Sequence, residues 1–219
     1  MADLSVLQRD ALRAFFARER GFFLTGGAAL TGFYLHHRTT DDLDLFTDRA
    51  DAFERGRRTI AEIAASLGAK SEVRMDSPDF TRYALTRGPE VLVVDLVHDR
   101  VPQRLMEKLE IDGVRVDPID EILTNKLTAI VGRQEERDLV DVYFLEQAGH
   151  SVESALASAL AKDGGCTPAN LAWLLSQVDV PAGLTLPAPL TVDRLREYLG
   201  DLVKRLRRLA LPSSSEADG

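Results

Sequence analysis

A chain of 219 residues has room for one domain with a large core, or for a core domain with a smaller appendage. Its 45% hydrophobic and 28% charged residues are those of an ordinary globular protein, and no apolar run approaches the roughly 18 residues that span a bilayer. The net charge of −8 argues against broad electrostatic binding to nucleic acid; the single cysteine, Cys166, excludes an internal disulfide and suits a reducing cytoplasm; and Asp3, Arg9, Asp10 and Arg13 leave no signal peptide to expect.

Leu4, Leu7, Ala11, Leu12, Phe15 and Phe16 recur at helical spacing, which predicts an amphipathic helix ending before Gly21. A strand over Gly21 to Leu24 follows, then a turn at Gly26 and Gly27, a helix to about His36, and a strand over Leu43 to Phe46. A helix from about Asp51 to Leu67 closes at Gly68. Three β-like runs come next, Lys70 to Met75, Phe80 to Thr86 and Glu90 to Val97. A hairpin, Leu109–Ile111 and Val114–Val116, turns on Asp112–Gly113. From Pro118 the pattern is helical only, with a Pro-rich linker over Val180 to Leu190 and a tail, PSSSEADG, expected to be disordered. The divisions expected are 1–116, 117–211 and 212–219.

The chemistry gathers between Leu24 and Phe46. Asp42 and Asp44, two apart in a strand, present both carboxylates on one face while Leu43 and Leu45 enter the core. Two such charges repel by roughly 4 kcal/mol at 4 Å in an effective dielectric near 20, so something cationic must offset them. A hard divalent ion with oxygen ligands fits that need. Gly26 and Gly27 let a backbone approach a phosphate closely. A third carboxylate, Asp95, stands among valines in VLVVDLV and must be paired with an arginine, solvated at the strand end, or bound to metal. Arg38, with Thr39 and Thr40, precedes the carboxylate strand within reach of phosphates, or simply supplies a turn.

A second constellation, Lys126, Arg133, Arg137, Asp138 and Asp141, follows the spacing KxxxxxxRxxxRDxxD. One straight helix would hold Lys126 and Asp141 about 22 Å apart. Gly132 is expected to end one helix and Glu135 and Glu136 to begin another, letting these groups converge. The bland alternative is a row of surface salt bridges of little worth. Lys204 to Arg208, KRLRR, is either a phosphate-binding patch or the solvated face of a terminal helix.

GGAAL, HRTTDDLDLF and KLTAIVGRQEERDLVDVYFL together resemble the AbiEii/AbiGii-type toxins of the nucleotidyltransferase superfamily, over about residues 20 to 145. The resemblance implies an α/β fold, a mixed β-sheet core with flanking helices followed by an all-helical half that completes the nucleotide site. It implies Asp42, Asp44 and Asp95 as ligands of Mg²⁺, with Mn²⁺ as the alternative, and Asp95 doubling as general base. Thr25, Gly26, Gly27, Arg38, Thr40, Lys126, Arg133, Asp138 and Asp141 then become the nucleotide-binding set, with Lys126 also catalytic. A nucleoside monophosphate would pass from a triphosphate to a hydroxyl of RNA (tRNA) or protein, in a toxin paired with a cognate antitoxin. Two rivals are transfer to an aminoglycoside-like small molecule and a nucleotide-binding partner protein without turnover.

Overall fold

The computed structural model describes residues 1, 3–133 and 135–211, so the tail 212–219 lies outside the described residues. The chain forms two compact units, Met1–Ile122 and Leu123 onward.

The first unit opens with helix α1, Val6–Phe16. Its start is fixed by a capping box, in which the Gln8 amide donates to Ser5 Oγ (3.2 Å) and the Ser5 amide to Gln8 Oε1 (2.7 Å). Strand β1, Phe23–Thr25, runs directly into helix α2, Gly26–Ala29, which widens into a π-helical turn over Leu30–Tyr34. The helix therefore begins at the glycine pair itself, with Gly26 at φ +65° as its first residue. Strand β2, Asp42–Thr47, alternates as its sequence requires, with Leu43, Leu45 and Thr47 buried. Helix α3, Ala50–Ser66, is followed by Gly68 at φ +64°. Strands β3 (Lys70–Ser77), β4 (Phe80–Arg87), β5 (Glu90–His98), β6 (Leu109–Ile111) and β7 (Val114–Val116) complete a seven-stranded sheet. Its order is β3-β4-β5-β2-β1-β7-β6.

The sheet is mixed. β2 runs parallel to β5 and antiparallel to β1, and β1 is parallel to β7. β2, β5 and β1 lie centrally and carry the buried residues Leu24, Leu43, Leu45, Val94 and Leu96; α1 packs nearby through an edge-to-face cluster of Phe15 and Phe16 with Phe22, which precedes β1, and α3 meets the Phe22 ring at Gly56. Each fully buried aromatic or aliphatic side chain contributes about 1.5–3 kcal/mol. The β6–β7 hairpin turns at Asp112 (φ 52°) and Gly113 (φ 78°), the left-handed pair that a two-residue hairpin demands.

Helix α4, Ile119–Gly132, carries the chain from one unit into the next. Its first turn belongs to the first unit, because the buried Glu121 carboxylate accepts from the Arg104 and Leu105 amides (3.1 and 2.8 Å). The second unit continues with α5 (Glu136–Gln147), α6 (Val152–Lys162), α7 (Pro168–Ser176) and α8 (Val192–Ala210). No helix among the described residues is long and apolar enough to cross a membrane. α8 buries Leu195, Leu199, Leu202, Val203 and Leu206.

That packing alters the reading of KRLRR. Arg205 is not a solvated cation: its Nη2 lies 2.5 Å from Glu146 on α5 and its Nη1 3.0 Å from Glu153 on α6, while Lys204 pairs with Asp201. Arg205 thus anchors the terminal helix to its neighbours, and a phosphate patch centred on it is not what the helix presents.

Candidate active site

Pairing of β2 with β5 places Asp44 opposite Asp95 and Asp42 opposite Val93. Asp42 and Asp44 share one face two residues apart, so the three carboxylates fall on adjoining positions of two neighbouring strands. The charge is offset from the next strand. β4 sets Arg82 opposite Asp95, and the guanidinium grips it with two bonds, Nε to Oδ1 at 2.8 Å and Nη2 to Oδ2 at 2.7 Å. Its hydrogen bonds to Asp95, with the fields of Asp95, Asp42 and Asp44, hold the Arg82 pKa above its ordinary value against the opposing pull of burial. Asp95, expected as a metal ligand and base, is here an ion-pair partner with both oxygens engaged. Nothing in FTRYALTR announces this, because the register that brings Arg82 to Asp95 is set by β4–β5 pairing.

The glycines lie against these carboxylates. A Cβ added to Gly26 would stand 2.2 Å from Asp44 Oδ2, and one added to Gly27 would stand 2.6 Å from Arg38 Nη2 and 3.4 Å from Thr40 Oγ1. Thr40 in turn donates to Asp42 Oδ1 (2.7 Å), and its carbonyl accepts from Gln8 Nε2 (2.8 Å), which ties the loop to α1. Gly26, Gly27, Arg38, Thr40, Asp42, Asp44 and Asp95 are thus brought together with Arg82.

Does this set suit a divalent metal? Among the described residues no group of three or more His, Cys, Asp or Glu side chains is disposed to hold one. Mg²⁺ does not need such a cage, since it commonly takes one or two carboxylates, waters and substrate phosphates. Asp42 and Asp44 supply two hard oxygen donors beside a backbone that carries no Cβ at Gly26, and they fit that pattern.

Thr25 is turned elsewhere. Its hydroxyl donates to the buried Asp117 (2.7 Å), so no side chain caps α2 there. Asp117 also accepts from Lys108 Nζ (2.6 Å), whose ammonium lies 4.2 Å over the Phe23 ring. Burial raises the Asp117 pKa even though Lys108 and Thr25 pull it down. The Tyr34 hydroxyl donates to the Asp117 carbonyl, and burial pushes that phenol up to about 12. No local pattern announces this contact, because Asp117 lies 92 residues from Thr25 along the chain.

In the second unit the helix break falls between Gly132 and Glu136, so α4 and α5 bring the second constellation together. The ammonium of Lys126, itself 5% exposed, lies 2.8 Å from Asp138 and 2.7 Å from Asp141. Arg133 adds Nε to Asp138 Oδ2 at 2.9 Å. Burial alone would lower the Lys126 pKa, but the Asp141 and Asp138 carboxylates outweigh it and hold it raised. Burial likewise works to raise Asp138, and Lys126 and Arg133 overcome it and hold it lowered. Lys126 is committed to two carboxylates, whereas Arg133 keeps half its side chain exposed.

A family model described as nucleotidyl transferase AbiEii toxin, type IV TA system, matches residues 10–197. Among solved structures, JHP933 from Helicobacter pylori is 24% identical, with 93% of this chain and 90% of that chain covered at a TM-score of 0.59. MenT4, a nucleotidyltransferase toxin from Mycobacterium tuberculosis H37Rv, is 14% identical, with 96% and 84% covered at 0.56. At these identities the likeness concerns the fold. No curated protein matches the chain.

Proposed function

Because this chain belongs to the AbiEii nucleotidyl transferase toxin family of type IV toxin–antitoxin systems, we propose that its transfer centre is the Asp42–Asp44 pair beside Gly26. The observation that carries this is the register of Asp44 against Asp95, with the Asp44 carboxylate pressed onto a glycine. Mg²⁺, or Mn²⁺ in its place, would be held by Asp42 and Asp44, and when bound it supplies Lewis-acid polarisation of the triphosphate.

The remaining work falls to the protein. Gly26 and Gly27 give the phosphates close access to the backbone, and Arg38 and Thr40 orient them. An acceptor hydroxyl attacks the α-phosphorus, a new P–O ester bond forms, and the α–β anhydride bond breaks with pyrophosphate leaving. Positioning and charge stabilisation supply most of the rate. Asp95 enters as third ligand or as base for the hydroxyl proton only by exchanging the two bonds that Arg82 now makes to it. In the helical unit, Asp138 and Asp141 fix Lys126 in place, and Arg133 pairs with Asp138 while keeping half its side chain exposed. The acceptor is proposed to be RNA, and a cognate antitoxin the protein partner.

Incubation of the purified chain with each triphosphate, labelled in turn at the α- and γ-phosphate, with Mg²⁺ and total RNA, tests the reading. Label from the α-position should enter RNA and γ-label should leave as pyrophosphate. Incorporation of γ-label instead would make the chain a kinase and overturn it.

A further inference from the structure

A cavity of about 470 Å³ opens in the first unit at the other end of β1 from the carboxylates. Arg18, Arg20, Arg49, Arg55, Lys108 and Arg115 line it, against two acids, Glu19 and Asp48. In a chain of net charge −8 such a gathering of cations is not what composition alone would produce.

Several of these cations have partners, and the partners matter. Lys108 is spent on Asp117, and Arg55 on Glu19 (2.7 Å) and Asp51 (2.7 Å). Glu19 also accepts from the Gly21 amide (2.6 Å), so it is consumed within the wall. Arg20–Glu110 and Arg49–Asp51 are exposed pairs, a class worth about 0–1 kcal/mol, and they yield readily to a stronger anion. Arg18 and Arg115 pair with no carboxylate among the described residues: Arg18 donates to the Ala14 carbonyl, and Arg115 to the carbonyls of Arg20 and Phe22. Guanidinium forks match phosphate oxygens two at a time. Phe23 forms part of the wall beneath the Lys108 ammonium, and Met106, 66% exposed, lies beside the cations and adds apolar surface on which a base or ribose can rest.

We propose that this cavity binds backbone phosphates of the RNA acceptor, a site separate from the carboxylate centre; the proposal rests on the RNA reading given above. Phe23 on its wall is two residues, about 7 Å, from Thr25, the register partner of Asp44.

The test is fluorescence anisotropy of labelled bulk tRNA against wild type and Arg18→Glu/Arg49→Glu, two exposed positions, over a series of salt concentrations. The charge reversal should weaken RNA binding at least about tenfold and flatten the salt dependence by roughly 0.7–0.9 log units per lost phosphate contact. Triphosphate binding and melting temperature should be unchanged. Arg115→Gln should weaken binding in the same direction without adding negative charge. Wild-type RNA affinity and salt slope in all variants overturns the proposal, as does loss of polyglutamate binding with tRNA binding intact, which would make the cavity a dock for an acidic protein. Failure of the transferase reading would show differently, as tRNA bound by wild type but never labelled from an α-labelled triphosphate.

Discussion

Gly26→Ala is the substitution that separates a phosphate-binding glycine from an ordinary turn. Gly26 sits at φ +65°, where an L-residue costs about 1–2 kcal/mol. For a chain of this size that is a loss of roughly 2–8 °C in melting temperature. The larger effect is on Asp44, since the new Cβ would stand 2.2 Å from its Oδ2 and 3.1 Å from its Cγ. Restoring ordinary contact moves the carboxylate by about 1 Å, a displacement that costs about 10²-fold when the group must be held in a reacting geometry. The neighbouring glycine makes the control. The atoms nearest a Cβ at Gly27 are the end of the flexible Arg38 side chain, which can give way, and the Thr40 hydroxyl at 3.4 Å. Gly27→Ala should therefore keep the wild-type melting temperature and lose only the contribution of Arg38. Transfer of an α-labelled nucleotide and thermal unfolding, measured together, decide it. A Gly26→Ala protein with wild-type stability and rate, or a Gly27→Ala protein more damaged than Gly26→Ala, would refute the reasoning.

Arg82→Ala should release Asp95 beside Asp42 and Asp44, so Mn²⁺ binding read by electron paramagnetic resonance should tighten while metal-free stability falls; unchanged Mn²⁺ affinity would detach Asp95 from the metal site. Lys126→Ala takes the buried ammonium from Asp138 and Asp141, Asp138 keeping Arg133, and should cost the helical unit about 3–5 kcal/mol in urea unfolding followed by the single tryptophan, Trp173 on α7. A loss below about 1 kcal/mol would return the cluster to the class of surface pairs. The same probe should show a stability window in pH. Asp138, held below its ordinary value, contributes stability that is full above the unfolded carboxylate pKa and lost as pH falls through the lowered one. Lys126, held above its ordinary value, contributes stability that is full below the unfolded lysine pKa and lost as pH rises through the raised one. Lys126→Met/Asp138→Asn/Asp141→Asn should flatten both edges, and a wild-type pH profile in that variant would refute the assignment.

Much of this molecule was legible because its signals are local. Alternation in DLDLF decides which side chains face the core, and Asp112–Gly113 fits only a hairpin turn. The break at Gly132 that lets Lys126 meet Asp138 and Asp141 is likewise written in neighbouring residues. What was not legible depends on register and on distance along the chain. Arg82 meets Asp95 only through β4–β5 pairing, and the Thr25 hydroxyl is claimed by an aspartate 92 residues away. The basic cavity assembles from residues between Arg18 and Arg115 that form no run, whereas KRLRR, the run that could be seen, has its Arg205 consumed by Glu146 and Glu153. Charge density along a sequence is a poor guide to charge density on a surface.

The central claim, that Asp42 and Asp44 form the transfer centre, is tested most directly by Asp44→Asn, with transfer from an α-labelled triphosphate and the melting temperature measured on the same preparation. The substitution keeps the shape of the side chain and removes one of two repelling charges. Transfer should fall to background while the melting temperature stays level or rises. A folded Asp44→Asn protein that transfers nucleotide at the wild-type rate would contradict the claim.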